Sequence, residues 1–279
     1  MALLLDGSLI GVGGAQAYYQ RFIHPLSMGL GEDGRALALI TAPSLEGSIQ
    51  TALDQGHAAL VCARAFTAKA CELCEERPLV FLNRPSPLPA RYPSVMPDNH
   101  GGLFAAVRRL HHLGHRRIAF FGMTPLSVHS EARLAGYRAA LKALGLPESE
   151  ALIKTPPRVE GSFEEVSALA WECLEAWLRL PRPPTACVTM GDVYALPLLA
   201  HARARGLELP GRFSVIGFDD TNACLSSVPL LSSIDAQMET MALEAVSLVR
   251  LALGRGVEPP RRVVVPAVLR ERASIGDCA

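Results

Sequence analysis

Asp192, Asp219 and Asp220 are the residues of this chain best placed for chemistry, because each follows a short apolar run. Asp192 comes just after residues 186–190, and Asp219 and Asp220 close Ser214-Val-Ile-Gly-Phe218. Arg64 follows the run 58–62, and Asn83 and Arg84 follow 79–82. Carboxylates accept hydrogen bonds, and guanidinium and amide groups donate them. In an open α/β sheet, ligands sit beyond the carboxyl ends of the strands, so polar groups at several strand ends are what a polyol site requires. Each residue also has a plainer reading as a helix N-cap or turn residue. That reading is the better one for Asp220, which leads into a loop. For Asp192 and Asp219 it stands level with ligand binding.

Other clusters carry less. His111 and His115 are four apart, as in a metalloprotease helix, but His112 stands where the general base would be Glu. Gly114 also ends that helix before His115, so these read as structural or surface histidines. Cys71-Glu-Leu-Cys74 has no second pair and reads as buried free thiols on a helix. Gly11-Val-Gly-Gly14 has Gln16 where a dinucleotide fingerprint needs a third glycine, so it reads as a plain loop. The sequence contains neither a phosphate-binding Walker motif nor a Gly-x-Ser-x-Gly elbow. The expectation is a binding protein and not an enzyme, with no metal and no cofactor.

The elements that must position these residues alternate regularly. Strand-like runs fall at 2–5, 36–40, 58–62, 79–82, 118–121, 186–189 and 214–218. Helical periodicity falls at 16–24, 45–55, 67–76, 103–113, 131–144, 164–180, 194–205 and 238–253. Such alternation predicts an α/β fold of parallel sheets covered by helices on both faces. Leu103, Val107, Leu110 and Leu113 form one apolar stripe, with Arg108, Arg109 and His112 off it. The final run 263–270 is a strand interrupted by Pro266, a residue tolerated at a sheet edge or crossover.

Composition bounds the rest. With 279 residues, 49% hydrophobic and 19% charged, the chain is globular and long enough for two lobes. Its formal net charge is zero and its basic pairs, Arg108-Arg109, Arg116-Arg117 and Arg261-Arg262, are scattered, which argues against a DNA-binding stripe. Seven cysteines, an odd and loosely spaced set, fit a reducing cytoplasm. No apolar run approaches a membrane span, and the N-terminus lacks a basic n-region and a cleavage site.

Six blocks, in order, resemble the LacI/GalR family of bacterial regulators. They are Asp98-Asn99 with Gly101-Gly102 and His112-Leu-Gly-His-Arg-Arg-Ile-Ala119; Arg133-Leu-Ala-Gly-Tyr-Arg-Ala-Ala-Leu141; Gly191-Asp192 with Ala195; Gly206 through Asp220; Pro229-Leu-Leu-Ser-Ser-Ile234; and Leu269-Arg-Glu-Arg-Ala-Ser274. The resemblance implies a two-lobed type I periplasmic-binding-protein-like fold with three crossovers, near Asp98, Asp235 and Pro266. One lobe would be residues 1–97 plus 236–265, and the other 98–235 plus 266–279. It implies a sugar-like effector in the interlobe cleft, gripped by the fixed donor fork of Arg133, stacked on Phe163, and bonded by Asp192 and Asp219. Asn83, where Asp is usual, and Ser44 are further positions.

Departures from the family pattern bear on the effector. Gly191 replaces the usual Asn. The first loop, residues 8–15, lacks the usual aromatic turn, leaving Tyr18 and Tyr19 further on, and Pro25 is expected to interrupt the first helix. Ala236 stands where a polar residue is common. The family's helix-turn-helix and hinge helix are absent, which is read as trimming, because the chain begins at the first sensor strand. The implied function is the effector-sensing and dimerisation region of a homodimeric regulator. It would meet operator DNA only through the absent N-terminal domain, and its effector would act by shifting a conformational population. The alternative is a solute-binding protein for carbohydrate uptake, which would need an export signal.

Overall fold

The computed structural model describes residues 1–6, 13–42, 44–63, 67–74, 77–89, 91–124, 127–157, 163–254 and 262–278, with the side chains of 6, 13–20, 68 and 69 excepted. Short apolar runs became buried strands, and amphipathic runs became the helices that cover them. Two units result: residues 1–97 with 237–265, and residues 98–236 with 266–279. The chain therefore passes from one unit to the other after Pro97, Ala236 and Val265.

The first unit holds a six-stranded parallel sheet in the order β11-β5-β4-β3-β1-β2. Its strands are β1 (Ala2–Asp6), β2 (Ala38–Ala42), β3 (Leu60–Cys62), β4 (Leu79–Leu82), β5 (Ser94–Pro97) and β11 (Arg262–Val265). Its helices are α1 (Gly13–Gly31), α2 (Leu45–Asp54), α3 (Ala68–Leu73) and α8 (Met238–Leu253). Leu4, Leu60, Phe81, Ile49 and Ala52 pack in one core with Cys62, Cys71 and Cys74, all buried and in no disulfide. Cys71 lies in α3 and Cys74 caps it.

Pro25 does not interrupt the first helix, which runs through it to Gly31. A helix-interior proline costs about 3 kcal/mol through one lost N–H bond and a ring clash. Phe22, Leu26 and Leu30 on the same helix are fully buried. Each contributes about 1.5–3 kcal/mol, so burial outweighs the proline. Gly29 fits against Val246 and Leu243 of α8, which brings the two helices close.

The second unit holds the sheet β12-β10-β9-β8-β6-β7, parallel except where β12 (Val268–Arg270) runs antiparallel to β10 (Ser232–Asp235) at the edge. The others are β6 (Ile118–Phe121), β7 (Ile153–Lys154), β8 (Ala186–Thr189) and β9 (Ser214–Phe218). The helices are α4 (Asn99–His112), α5 (Val128–Ala143), α6 (Phe163–Leu178) and α7 (Asp192–Ala204). Trp177, Phe121, Leu174, Leu198 and Val215 centre one core on α6 and α7. On the other side α4 and α5 meet at Gly136, where any Cβ would strike the carbonyl of His100.

His115 is a structural residue. It is fully buried, with Nδ1 2.9 Å from Thr185 Oγ1 and Nε2 3.1 Å from Ser214 Oγ and 3.2 Å from the Gly276 carbonyl. A carbonyl only accepts, so Nε2 carries the proton and the Thr185 hydroxyl donates to Nδ1. The histidine thus ties the start of β6 to the residue before β8, the start of β9 and the C-terminal segment. That segment is also pinned by Ser274, whose hydroxyl donates to Val215 O at 2.6 Å and accepts from Ser232 N at 2.8 Å.

Candidate functional site

The carboxyl ends of β8 and β9 meet the N-termini of α4 and α5, and Arg133 stands at that junction. It is held one turn into α5, whose N-cap Ser127 accepts from Ser130 N. Its Nε donates to Asn99 Oδ1 at 2.7 Å, and a terminal nitrogen donates to the Met190 carbonyl. The other terminal nitrogen meets Asp219 Oδ1 at 3.2 Å. The guanidinium lies 3.6 Å from the centroid of the Phe218 ring, a cation–π contact. Arg133 is 7% exposed, so its charge is balanced mainly by Asp219 and by oriented dipoles.

Asp219 reaches Arg133 through an unusual backbone. Its φ is 101°, and that of Asp220 is 48°, both in the region that favours glycine. Non-glycine residues there store about 1–3 kcal/mol, and such strain clusters at ligand clamps and active sites. Three bonds hold the turn in place: Asp219 N donates to Ile234 O at 2.8 Å, Asp220 N to Ser233 Oγ at 3.1 Å, and Arg272 pairs with Asp220 at 2.7 Å. Asp220 is thus a turn residue with an ion-pair partner, while Asp219 faces Arg133.

Asp192 sits in a different environment from the one expected of a ligand acceptor. It is 1% exposed at the start of α7, and its oxygens accept from Ser233 Oγ, Thr221 N, Thr221 Oγ1 and Cys224 Sγ. Burial pushes its carboxyl above the ordinary range, and the bonds from Ser233, Thr221 and Cys224 pull it partly back. Burial, and then the same carboxylate, push the Cys224 thiol well up. Asp192 therefore fastens β10 and the turn after β9 to α7. The neighbouring Gly191 is extended, at φ −178°, and a Cβ there would lie 3.4 Å from Asp219 Oδ2 and 3.6 Å from the Tyr194 ring.

The remaining expected positions lie on other elements. Phe163 opens α6 and is 57% exposed. Ser44 caps α2, its hydroxyl accepting from Gly47 N at 3.0 Å. Asn83 follows β4 with φ 54°. Both belong to the first unit. Arg64 lies outside the described residues, and Tyr18 is in α1 with its side chain outside them. The structure thus joins Arg133 and Asp219 directly. It adds Asn99, Phe218, the Met190 carbonyl and His129, whose Nδ1 is 3.1 Å from Asn99 Nδ2. The one sequence signal for His129 is its spacing of four from Arg133, which puts both on one helix face.

Among the described residues, no group of three or more His, Cys, Asp or Glu side chains could hold a metal ion, and no helix is long and apolar enough to cross a membrane.

Comparison with known proteins points one way. Residues 107–275 match the periplasmic binding protein-like domain family. The HTH-type transcriptional repressor CytR of Escherichia coli (strain K12) is 32% identical over 171 residues, which are 61% of this chain and 48% of CytR. The chain spans about half the length of the curated relatives it matches. A solved transcriptional regulator CelR–cellobiose complex has a TM-score of 0.81 at 25% identity, covering 98% of this chain and 83% of that one. A sugar-binding transcriptional regulator of the LacI family from Escherichia coli, complexed with phosphate, has a TM-score of 0.79 at 26% identity, covering 99% of this chain and 97% of that one.

Proposed function

Because the chain belongs to the periplasmic-binding-protein-like family, as the effector-binding region of a LacI/GalR-type regulator, we propose that it binds a sugar-like effector and couples that binding to operator recognition by a helix-turn-helix domain. The observation that carries this reading is the Arg133–Asp219 pair beside Phe218, at the carboxyl edge of the second sheet. Arg133 offers donors in a fixed fork, Asp219 offers an acceptor, and the strained turn places that acceptor. A sugar hydroxyl both donates and accepts, so this face fits one. The cellobiose bound by the CelR relative supports the same class.

Asp192, in this reading, positions the turn and does not touch the effector. Asn83, Phe163, Ser44, Arg64 and Tyr18 are proposed as further effector contacts. The chain binds without turnover, acts in the cytoplasm as a homodimer, and responds by population shift: an effector can move the equilibrium only by its differential affinity for two conformers.

The test is thermal unfolding across neutral sugars, sugar phosphates and nucleosides. A ligand at a hundred times its Kd adds about 2.7 kcal/mol. A clear shift with one sugar, and release or capture of operator DNA by a full-length regulator on adding that sugar, is expected. No shift with any compound, or turnover of the compound that shifts, would overturn the reading.

A further inference from the structure

Arg133, Asn99 and His129 form a relay whose proton positions follow from the chemistry of its ends. An arginine Nε only donates, so the Asn99 atom 2.7 Å from it is the carbonyl oxygen. The amide then presents Nδ2, a donor, to His129 Nδ1 at 3.1 Å. Nδ1 must accept. His129 is therefore neutral with its proton on Nε2. An imidazolium carries N–H on both nitrogens and would oppose Nδ2 with a second donor. Turning the Asn99 amide over would relieve that clash, but it would set a donor against the Nε–H of Arg133.

We infer that His129 is a positioning residue for the effector site: in its neutral Nε2–H form it fixes the Asn99 amide, and through it the orientation of Arg133. Asn99 is 4% exposed and Arg133 7%, so neither has water at hand to replace a lost partner. The charged and titratable groups nearest the relay along the chain are Glu131 on α5, Asp98 capping α4, His100 on α4, and Asp219 just past β9; Arg138 and Lys142 lie further along α5, and Arg108, Arg109, His111 and His112 at the far end of α4. The effector side of this inference rests on the proposed function. The relay itself does not.

Nitrogen NMR of histidine- and arginine-labelled protein tests the relay without a ligand. The expected result is a His129 ring protonated on Nε2 alone at pH 8. The Arg133 Nε–H signal should be slow to exchange there, and it should be lost as His129 titrates on acidification. In His129→Gln, whose amide oxygen can accept from Asn99 and does not titrate, the Arg133 signal should persist into acid. In His129→Ala it should be weakened at every pH. A ring protonated on Nδ1, or an Arg133 signal indifferent to both variants and to pH, overturns the inference.

With cellobiose, or the sugar that shifts unfolding, affinity should fall about tenfold in His129→Ala, the size of one lost hydrogen bond. It should fall with acid in the unsubstituted protein and stay flat in His129→Gln. If affinity ignores His129 while the NMR relay holds, the inferred role in the site fails. If the unsubstituted protein binds no sugar, the functional reading fails and the relay is judged on NMR alone.

Discussion

Gly217 and Asp192 share one volume: a Cβ placed on Gly217 would collide with the Oδ1 of the Asp192 carboxylate. The glycine of β9 is thus a space requirement. The carboxylate that fills the space holds Ser233, Thr221 and Cys224 in place, and the Asp219–Asp220 turn hangs from them.

Gly217→Ala should cost about 1–3 kcal/mol by overpacking. Asp192→Ala strands four donors on Ser233, Thr221 and Cys224 and should cost about 1–3 kcal/mol as well. In the double variant the alanine methyl occupies the vacated room, so the two costs should sum to less than their separate values. Urea or thermal unfolding of the four proteins measures this. Strict additivity would show that the two residues do not share the space.

Replacement of Arg133 separates charge from geometry. Arg133→Lys keeps one positive charge near Asp219 but loses the planar fork and the stack on Phe218. A hydrogen bond from a charged donor to a ligand is worth about 1.5–3 kcal/mol. Arg133→Ala should therefore lose about tenfold or more in sugar affinity by calorimetry, and Arg133→Lys should recover little of it. Undiminished binding by either variant would remove Arg133 from the site.

The sequence displays the strands that are runs of apolar residues and hides those that are not. Residues 79–82, 118–121, 186–189 and 214–218 are strands at the bounds their composition predicts. β10 was not legible as a strand because it reads Ser232-Ser-Ile-Asp235, polar residues buried by partners distant in sequence. Ser232 bonds to Arg272 and Ser274, Ser233 to Asp192, and Asp235 to Arg270. Arg133 and Asp219 could be named from sequence blocks, whereas the roles of Asn99 and His129 depend on how α4 and α5 pack at Gly136. Asp192 looked like Asp219 in the sequence because both follow a strand. Only burial separates them, and burial is a property of the fold.

The cysteines make a chemical prediction from the same property. Burial pushes the Cys74 thiol up to about 12 and Cys173 to about 11, and six of the seven cysteines are buried. The thiolate is the nucleophile, so these six should resist alkylation in the native protein. Iodoacetamide followed by mass spectrometry should show one fast adduct, on Cys278, and seven adducts in denaturant. Fast native labelling of Cys71 or Cys74 would show that the α3 region opens readily.

His115 should make stability depend on pH in a defined direction. Burial lowers its affinity for a proton below the ordinary value near 6.5, and the Gly276 carbonyl offsets part of that. Between 6.5 and its lower native value, the unfolded chain binds a proton that the native state does not. Stability from this residue is therefore full above 6.5 and falls as the pH drops through that window. His57 and His111 are lowered too, but both lie near the surface, so the buried residue should dominate. His115→Gln retains hydrogen-bonding groups without the titration. It should be less stable at pH 8, where it loses the three-way tie among Thr185, Ser214 and Gly276. Its stability should also decline less than that of the parent between pH 7 and pH 5. Equal pH slopes for the two proteins in denaturant melts would assign the acid sensitivity elsewhere.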